Sequence, residues 1–520
     1  MLMTRFFSWL LVALTLGGMV VASTDTVPMP QPQGASPRPR PPAINPREAA
    51  IFAEQIQRAA EQIAREYVQE VKPEKLAAHA IVALYMATET PLPEGLRGDP
   101  ANLFSGKDIG EELRQARITL GNPAVISFQY RRDVKLSIQA MLSSLDPYSM
   151  YLSVDDTLRY SQRGLGSVGL LLEERDPGSP CVVQNVILGG PAEQAGIRPG
   201  DELLAIDGKF VARDRSARLV AQDVDGPGES TVELLIRPFM EASPLSLKVV
   251  RSFVREETVL GHRRLSQDTQ TTWDHLLGTK EKIALLRLGS ITGYGETRDE
   301  SPSTPEQMMQ ILGSLQQNGL TGLVLDLRDC PGGSMQGAMD IANLFIPEGK
   351  VLASTRYRSR DLEPPFKTRR MENGLYRTPM VVLVGPNTMG GGELIAAALQ
   401  DHDRAIIVGQ RTRGKASIQQ TITLDRTMAN HQVRLTTGYF LRPKGGNLNR
   451  FTDSKPSDEW GVQPDPDFEV RLPPHMLRQA RRWRQELDLG QTEVPAGVPQ
   501  SRLENDPVLY AGVQALLKKK

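Results

Sequence analysis

The sequence predicts a multidomain α/β protein with a helical N-terminal region, a small β-rich domain and an α/β core. Three observations support this prediction. The chain has 520 residues, several times the roughly 150 residues of a typical domain. Its composition, with 40% hydrophobic and 23% charged residues, is that of a globular protein. Its pattern changes along the chain from helical spacing to short β-branched runs, and then to strands that alternate with helices.

Charge and cysteine content exclude several classes of function. Lys plus Arg and Asp plus Glu both number 61, so the chain has no net positive field with which to hold nucleic acid. The two cysteines, Cys181 and Cys330, are too few for a disulfide framework or a thiolate zinc site. Because no histidine or carboxylate cluster has metal-ligand spacing, we expect no metal and no other cofactor.

The N-terminal segment predicts export. Arg5 precedes an apolar run over residues 6–21, and the small residues Ala22, Ser23 and Thr24 follow it. This pattern is typical of a signal peptide, which we assign to residues 1–23. The run is shorter than the ~20 residues that span a bilayer, and an uncleaved membrane anchor is the alternative. The protein is expected to be periplasmic or extracellular.

Proline and helix signals mark the next part of the chain. Residues 24–45 are rich in proline, which favours an extended linker. Asn45 and Pro46 then supply a helix cap and a proline at the first helical position. We therefore expect a helical N-terminal region over residues 46–155. Its predicted helices run from Pro46 to about Val71, over Glu74–Ala87 and over Val134–Leu145, where the run LDPYS begins.

A β-rich domain is predicted for residues 160–255, where short β-branched runs are broken by glycines. Its markers are GSVGLL from Gly166, GPA and AGI from Gly190, and GDELLAIDG from Gly200. In this order they resemble a PDZ domain. Such a domain binds a peptide as an added strand, while loop amides hold the terminal carboxylate. The resemblance implies that Ser167, Val168, Gly169 and Leu170 form this peptide-binding loop.

The third region, residues 281–470, alternates apolar strands with helices, as an α/β core does. Strands are predicted at Ile283–Leu288, Leu323–Leu327 and Met380–Val384, and helices at Gln336–Phe345 and Leu394–Gln400. Gly332 and Gly333 follow the second strand, where their backbone amides can approach a ligand closely. The third strand leads through a sharp loop into a helix, whose N-terminus stabilises developing negative charge.

Together these residues resemble the C-terminal processing (tail-specific) peptidases, exported serine proteases with a PDZ domain and a Ser/Lys catalytic core. The resemblance covers roughly residues 50 to 470. It depends on the LDPYS run, the PDZ markers, LDLRDCPGG, GELIAAALQDHDRAIIVG, GKASIQ and GVQPD. It implies a ClpP/crotonase-like core and a protein that binds the C-terminal ends of unfolded chains.

The resemblance also implies roles for individual residues. Lys415 matches the general base, which must lose its charge to accept a proton. Gln419 matches the glutamine that assists the lysine, and Asp401 matches the acidic residue after the helix. The oxyanion is expected to bind the backbone amides of Gly332, Gly333 and Gly391.

The nucleophile of the family is absent. The family places its attacking serine three residues before a glutamate, and counting back from Glu393 gives Gly390. We therefore expect a proteolytically impaired protein that binds protein C-termini. The alternative is an active serine-type endopeptidase with a non-standard nucleophile, for which Thr388, Ser417 and Cys330 are the candidates.

Residues 471–520 form a C-terminal extension. Its arginines, between Arg478 and Arg484, are interpreted as a solvated helix face, with contact to anionic lipid as the alternative. Lys518, Lys519 and Lys520 are interpreted as a frayed tail. The oligomeric state and the target proteins do not follow from the sequence.

Overall fold

The signal-peptide prediction and most of the proline-rich linker lie outside the residues that the structure describes. Within those residues, no helix is long and apolar enough to cross a membrane. The computed structural model describes residues 41–94, 108–152, 165–173, 178–187, 189–213, 215, 217–252, 257–267, 270–278, 281–295, 302–358, 364–371, 377–424, 431–451, 453–488, 503 and 505–518.

The N-terminal region is a bundle of helices that packs on a sheet. Its elements are α1 (Pro46–Glu66), α2 (Pro73–Ala87), α3 (Ile109–Leu120), α4 (Arg132–Ser143) and β1 (Met150–Leu152). Helix α1 begins at the predicted proline, where the Asn45 side chain accepts a hydrogen bond from the Arg47 amide at 2.9 Å. It ends before Val71 because Tyr67 has extended backbone angles. Helix α3 was not predicted.

A buried ion pair holds α3 against α4. Arg117 and Asp133 are both fully buried, and the Arg117 Nε lies 3.1 Å from the Asp133 Oδ2. The Arg117 guanidinium also donates to the Ile126 carbonyl at 2.7 Å. Burial lowers the pKa of Arg117 and raises the pKa of Asp133, so each charge depends on the other for compensation.

We expect Arg117→Leu to lower the free energy of unfolding by about 3 to 5 kcal/mol, because Asp133 would remain as an unpaired buried charge. Urea unfolding followed by circular dichroism measures the change. Arg114→Leu is the matched control on the same helix, since Arg114 pairs with Glu111 at the surface and such pairs contribute under about 1 kcal/mol. Equal unfolding midpoints for the two variants would contradict the prediction.

The β-rich domain consists of short strands and two helices. In chain order they are β2 (Leu165–Gly166), β3 (Leu170–Leu172), β4 (Val183–Val186), α5 (Pro191–Gln194), β5 (Glu202–Ile206), β6 (Lys209–Phe210), α6 (Ala217–Val224), β7 (Gly226–Pro227), β8 (Thr231–Arg237) and β9 (Leu245–Val250). Four strands pair in the order β6-β5-β8-β9, and β3 pairs with β4. The domain has its own apolar core, which includes Val168, Val220 and Leu234.

The core is built on a five-stranded sheet with the order β10-β13-β14-β17-β18, whose last four strands are parallel. The central strands are buried along their whole length, as parallel strands covered on both faces are. Its elements are β10 (Val259–Leu260), β11 (Arg263–Gln267), β12 (Gln270–Asp274), β13 (Ile283–Leu288), α7 (Thr304–Gln317), β14 (Gly322–Asp326), α8 (Met335–Asn343), β15 (Val351–Tyr357), β16 (Phe366–Lys367), β17 (Met380–Val384), α9 (Gly391–Asp401) and β18 (Ile406–Gly409).

A second sheet joins the N-terminal region to the core. Strands β19 (Ser417–Thr423) and β20 (Gln432–Leu441) form a hairpin that follows β18 in the chain. Strand β20 pairs with β1 through Gln432–Arg434 and with β15 through Gly438–Leu441. The N-terminal region and the core therefore share a strand.

The C-terminal extension forms two packed helices, α10 (Pro474–Asp488) and α11 (Pro507–Lys518). Helix α11 covers the face of the central sheet opposite to α8 and α9, through Leu509, Val513 and Leu516. The interpretation of the α10 arginines as a solvated face is wrong, because Arg481 and Arg484 are 8% and 9% exposed and pair with acidic groups. Lys518 ends α11, and Lys519 and Lys520 lie outside the described residues.

Candidate active site

Two turns meet at the carboxyl ends of neighbouring parallel strands. Strands β14 and β17 pair in parallel, so the segments that follow them leave the same edge of the sheet. The first turn contains Gly332, and the second leads through Gly390 into α9. A Cβ on Gly332 would lie 2.8 Å from the Gly391 nitrogen. The two turns can therefore touch only because position 332 carries no side chain.

Gly390 lies at a sharp backbone bend and has space for a side chain, as a nucleophile position requires. Its φ of 53° and ψ of −116° form the sharp bend between β17 and α9. A Cβ built there would meet its nearest neighbours at 3.8 Å, an ordinary contact distance. At Gly391 and Gly392 the same construction gives 3.0 and 3.2 Å. Within the Gly390–Gly392 run, a side chain therefore has room only at Gly390, the position that the sequence register predicts for the nucleophile.

The predicted oxyanion residues come together beside Gly390. Gly333 has a φ of 140°, and a Cβ there would lie 2.0 Å from the Ile291 carbonyl oxygen, so this position requires glycine. Gly391 is the first residue of α9, and its amide is among those that a helix leaves without an intrahelical acceptor. Amides at such a helix end can stabilise an oxyanion.

Lys415 is held against the same turn. Its carbonyl oxygen accepts a hydrogen bond from the Gly390 amide at 3.1 Å. Its Nζ lies 4.9 Å from the centre of the Tyr148 ring, within the range of a cation–π interaction. Tyr148 belongs to the LDPYS run. This run supports the family resemblance, and no role for its tyrosine was predicted from the sequence. The structure therefore brings this part of the N-terminal region to the predicted general base.

Glu393 is a buried centre of hydrogen bonding that sequence reasoning missed. Its carboxylate accepts from the amides of Gly390 at 3.1 Å, Gly414 at 2.7 Å and Lys415 at 2.7 Å, and from the Thr412 hydroxyl. Complete burial raises its pKa to about 7. One side chain thus fixes the nucleophile turn to the loop that carries the lysine. The capping-box spacing of Glu393 to position 390 is the available sequence signal.

Gln419 lies on β19, four residues after Lys415. Its side-chain nitrogen donates to the Ser417 Oγ at 2.7 Å and to the Thr436 Oγ1 at 3.4 Å. The Thr436 amide donates to the Ser149 Oγ at 3.1 Å, which extends the network to the LDPYS run. These hydrogen bonds join Gln419 to Ser417 and Thr436, and its role in assisting Lys415 stays a prediction.

Asp401 is not brought to the site. It lies at the opposite end of α9 from Gly390. Arg442 binds its carboxylate, with the closest approach of 2.6 Å between the Arg442 Nη2 and the Asp401 Oδ1. The Lys444 amide donates to it at 3.0 Å. These contacts give Asp401 a structural role at the end of the helix, and they do not support its assignment as a catalytic residue.

The alternative nucleophiles are poorly placed for attack. The Thr388 side chain is fully buried, and its hydroxyl donates to the Leu327 carbonyl at 2.7 Å and accepts from the Gly385 amide at 2.9 Å. Cys330 is also fully buried in the apolar core. Ser417 is half-buried, and its hydroxyl accepts from Gln419. None of the three presents a free, solvent-facing hydroxyl or thiol to the oxyanion glycines.

The predicted peptide-binding loop lies at the start of β3. Gly169 donates its amide to the Ser167 Oγ at 3.1 Å, and Leu170 begins the strand. Among the described residues, β3 pairs with β4 alone, and α6 packs against it. The space between β3 and α6 is where a PDZ domain adds a peptide strand. Val168 is buried in the core of the domain.

No group of three or more His, Cys, Asp or Glu side chains in the described part of the chain could hold a metal ion. This finding covers the neighbourhood of Lys415 and Gly390, which are both described.

Comparisons with known proteins assign both domains. Residues 282–467 match the model of peptidase family S41, and residues 182–238 match a PDZ domain model. The chain is 28% identical over 376 residues to the carboxy-terminal-processing protease of Bartonella bacilliformis, covering 70% of this chain and 75% of that protein. It is 29% identical over 330 residues to the carboxy-terminal processing protease CtpA of Bacillus subtilis, covering 61% and 62%.

A plant relative and a solved structure agree with these matches. Carboxyl-terminal-processing peptidase 1, chloroplastic, of Arabidopsis thaliana is 29% identical over 316 residues, or 60% of either protein. The chain thus spans less than two thirds of the Arabidopsis and Bacillus proteins. The structure of the photosystem II D1 C-terminal processing protease superposes with a TM-score of 0.54 at 22% identity, over 86% of this chain and 98% of that one. The chain therefore shares its fold with that structure.

Proposed function

We propose that this chain, which combines a peptidase family S41 core with a PDZ domain, binds the C-terminal ends of unfolded polypeptides without cleaving them efficiently. We also propose that it is exported, as part of the same function. The premise is its relation to the carboxy-terminal processing proteases. The observation that carries the proposal is Gly390. It occupies the bend between β17 and α9, beside the oxyanion glycines and the Lys415 loop, and it has no hydroxyl. Loss of the nucleophile from such a catalytic unit removes orders of magnitude of rate.

Binding is proposed for the PDZ domain. Its strand β3 has an edge next to α6, and the Ser167–Leu170 loop precedes that edge. A peptide that pairs with β3 would place its terminal carboxylate at this loop. Export is supported by the apolar run over residues 6–21 and its small-residue flank.

The test uses an unfolded reporter polypeptide that ends in apolar residues, prepared with a free and with an amidated C-terminus. Fluorescence anisotropy is expected to show tighter binding of the free carboxylate form. Mass spectrometry is expected to show no cleavage of either form by the wild-type chain above the level of Lys415→Ala.

Two outcomes would overturn parts of the proposal. Cleavage by the wild-type chain that is lost in Lys415→Ala would show an unrecognised nucleophile and establish the active endopeptidase. Equal binding of the free and amidated reporters would show that the PDZ domain does not recognise the terminal carboxylate.

A further inference from the structure

Helix α10 lies between the PDZ domain and the peptidase-like core. On the PDZ side, the Arg482 Nη1 lies 3.1 Å from the Asp201 Oδ1, and the Arg478 guanidinium lies 5.4 Å from the centre of the Phe239 ring. On the core side, Asp488 binds Arg287 of β13, with 2.5 Å between the Asp488 Oδ1 and the Arg287 Nη2. The helix therefore contacts both domains through charged side chains.

Arg481 bridges the two domains by itself. One end of its guanidinium binds the Glu173 carboxylate, which directly follows β3 of the PDZ domain. The other end, Nη2, lies 2.9 Å from the Asp329 Oδ1 in the core. The Arg481 side chain is only 8% exposed, so a loss of either acidic partner would leave a largely buried charge with less compensation. We call the trio of Glu173, Arg481 and Asp329 the clasp.

Asp329 contacts both turns of the candidate site, the PDZ domain and α10. It begins the turn that continues through Cys330 to Gly332 and Gly333. Its carboxylate also accepts from the Asn387 side chain at 3.4 Å, in the turn that leads to Gly390. The Gln184 side chain on β4 of the PDZ domain reaches it at 3.5 Å. One carboxylate thus contacts both site turns, the PDZ domain and α10.

From these contacts we propose that Arg481 is a positioning residue. It couples the PDZ domain to the turn of residues 328–334, which carries Gly332 and Gly333. The order of residues 328–334 depends on the docking of the PDZ domain, because the side chain that fixes Asp329 is itself fixed by Glu173. A change at the end of β3 is transmitted to the core through α10. The clasp does not depend on which ligand the PDZ domain binds or on whether the chain cleaves peptides.

Hydrogen exchange measured by mass spectrometry on the full chain tests the clasp. Arg481→Gln is expected to speed exchange about fivefold in residues 328–334 and in β4 together, as loss of a partly buried ion pair would. Glu173→Gln is expected to speed exchange in residues 328–334, although residue 173 lies in the PDZ domain. Arg481→Lys keeps one charge contact and is expected to restore part of the protection.

Arg478→Gln is the matched control, since Arg478 lies on the same helix and contacts the PDZ domain through Phe239. It is expected to leave exchange in residues 328–334 unchanged. Thermal unfolding of each variant verifies that the fold is intact. Unchanged exchange of residues 328–334 in Glu173→Gln, or equal effects of Arg478→Gln and Arg481→Gln, would overturn the proposal.

Discussion

Gly390→Ser is expected to cleave the unfolded reporter about a thousandfold or more faster than the wild-type chain, because it restores the hydroxyl to an otherwise assembled site. The neighbouring atoms leave space for the new Cβ at 3.8 Å. The Lys415 backbone carbonyl already accepts a hydrogen bond from the Gly390 amide, and Gly332 lies beside the position. The initial rate of product formation, followed by mass spectrometry, measures the effect.

The backbone at position 390 limits the stability of this variant. A φ of 53° is costly for a residue with a side chain, so the substitution should lower the free energy of unfolding by about 1 to 2 kcal/mol. Gly390→Ala carries the same strain without a hydroxyl and is the control for the chemistry. Activity in Gly390→Ala, or in Gly390→Ser combined with Lys415→Ala, would show that the serine and lysine do not act as a dyad.

Glu393→Ala is expected to lower the free energy of unfolding by about 5 kcal/mol or more. The substitution leaves the Gly414 and Lys415 amides and the Thr412 hydroxyl without their acceptor, and each orphaned buried donor costs about 1 to 3 kcal/mol. The Gly390 amide keeps its hydrogen bond to the Lys415 carbonyl. The matched control is Glu306→Ala, because Glu306 has the same third position in the capping box of α7 but is only half-buried. Chemical denaturation should separate the two variants clearly.

The pH dependence of stability identifies the same carboxyl group. Burial raises the pKa of Glu393 from 4.5 to about 7, so the folded state binds a proton more tightly than the unfolded state. The stability from this group is fully present below pH 4.5 and is lost as the pH rises through 7, a change of about 3 kcal/mol. Glu393→Gln should remove this slope. An unchanged slope in that variant would assign the titration to another group.

Elements whose pattern is local were predicted well. Strands β13 and β17 have the predicted bounds, because each is a short apolar run with turn residues at its ends. The Asn45-Pro46 cap places the start of α1 correctly. The assignment of the nucleophile position to residue 390, made by counting back from Glu393, stays a prediction. The structure adds the room and the bend at that position, which a sequence register does not contain.

Contacts between distant segments could not be predicted. The α10 arginines look like a solvated face because their partners are far away in the chain: Glu173 is 308 residues from Arg481, and Asp329 is 152 residues from it. The contact of Tyr148 with Lys415 has the same character. Asp401 entered the predicted site through the resemblance alone, and a helix of 11 residues separates it from Gly390.

The strand shared between the N-terminal region and the core limits how this protein can be divided. Val433 on β20 belongs to the apolar cluster of the N-terminal helices, and its backbone pairs with β1. A chain that begins after β1 would expose part of an unpaired strand edge and an apolar surface, which promote aggregation. Recombination between relatives would have to preserve the register of β1 and β20. The helical region and the peptidase-like core therefore form one structural unit, whereas the PDZ domain between them has its own apolar core.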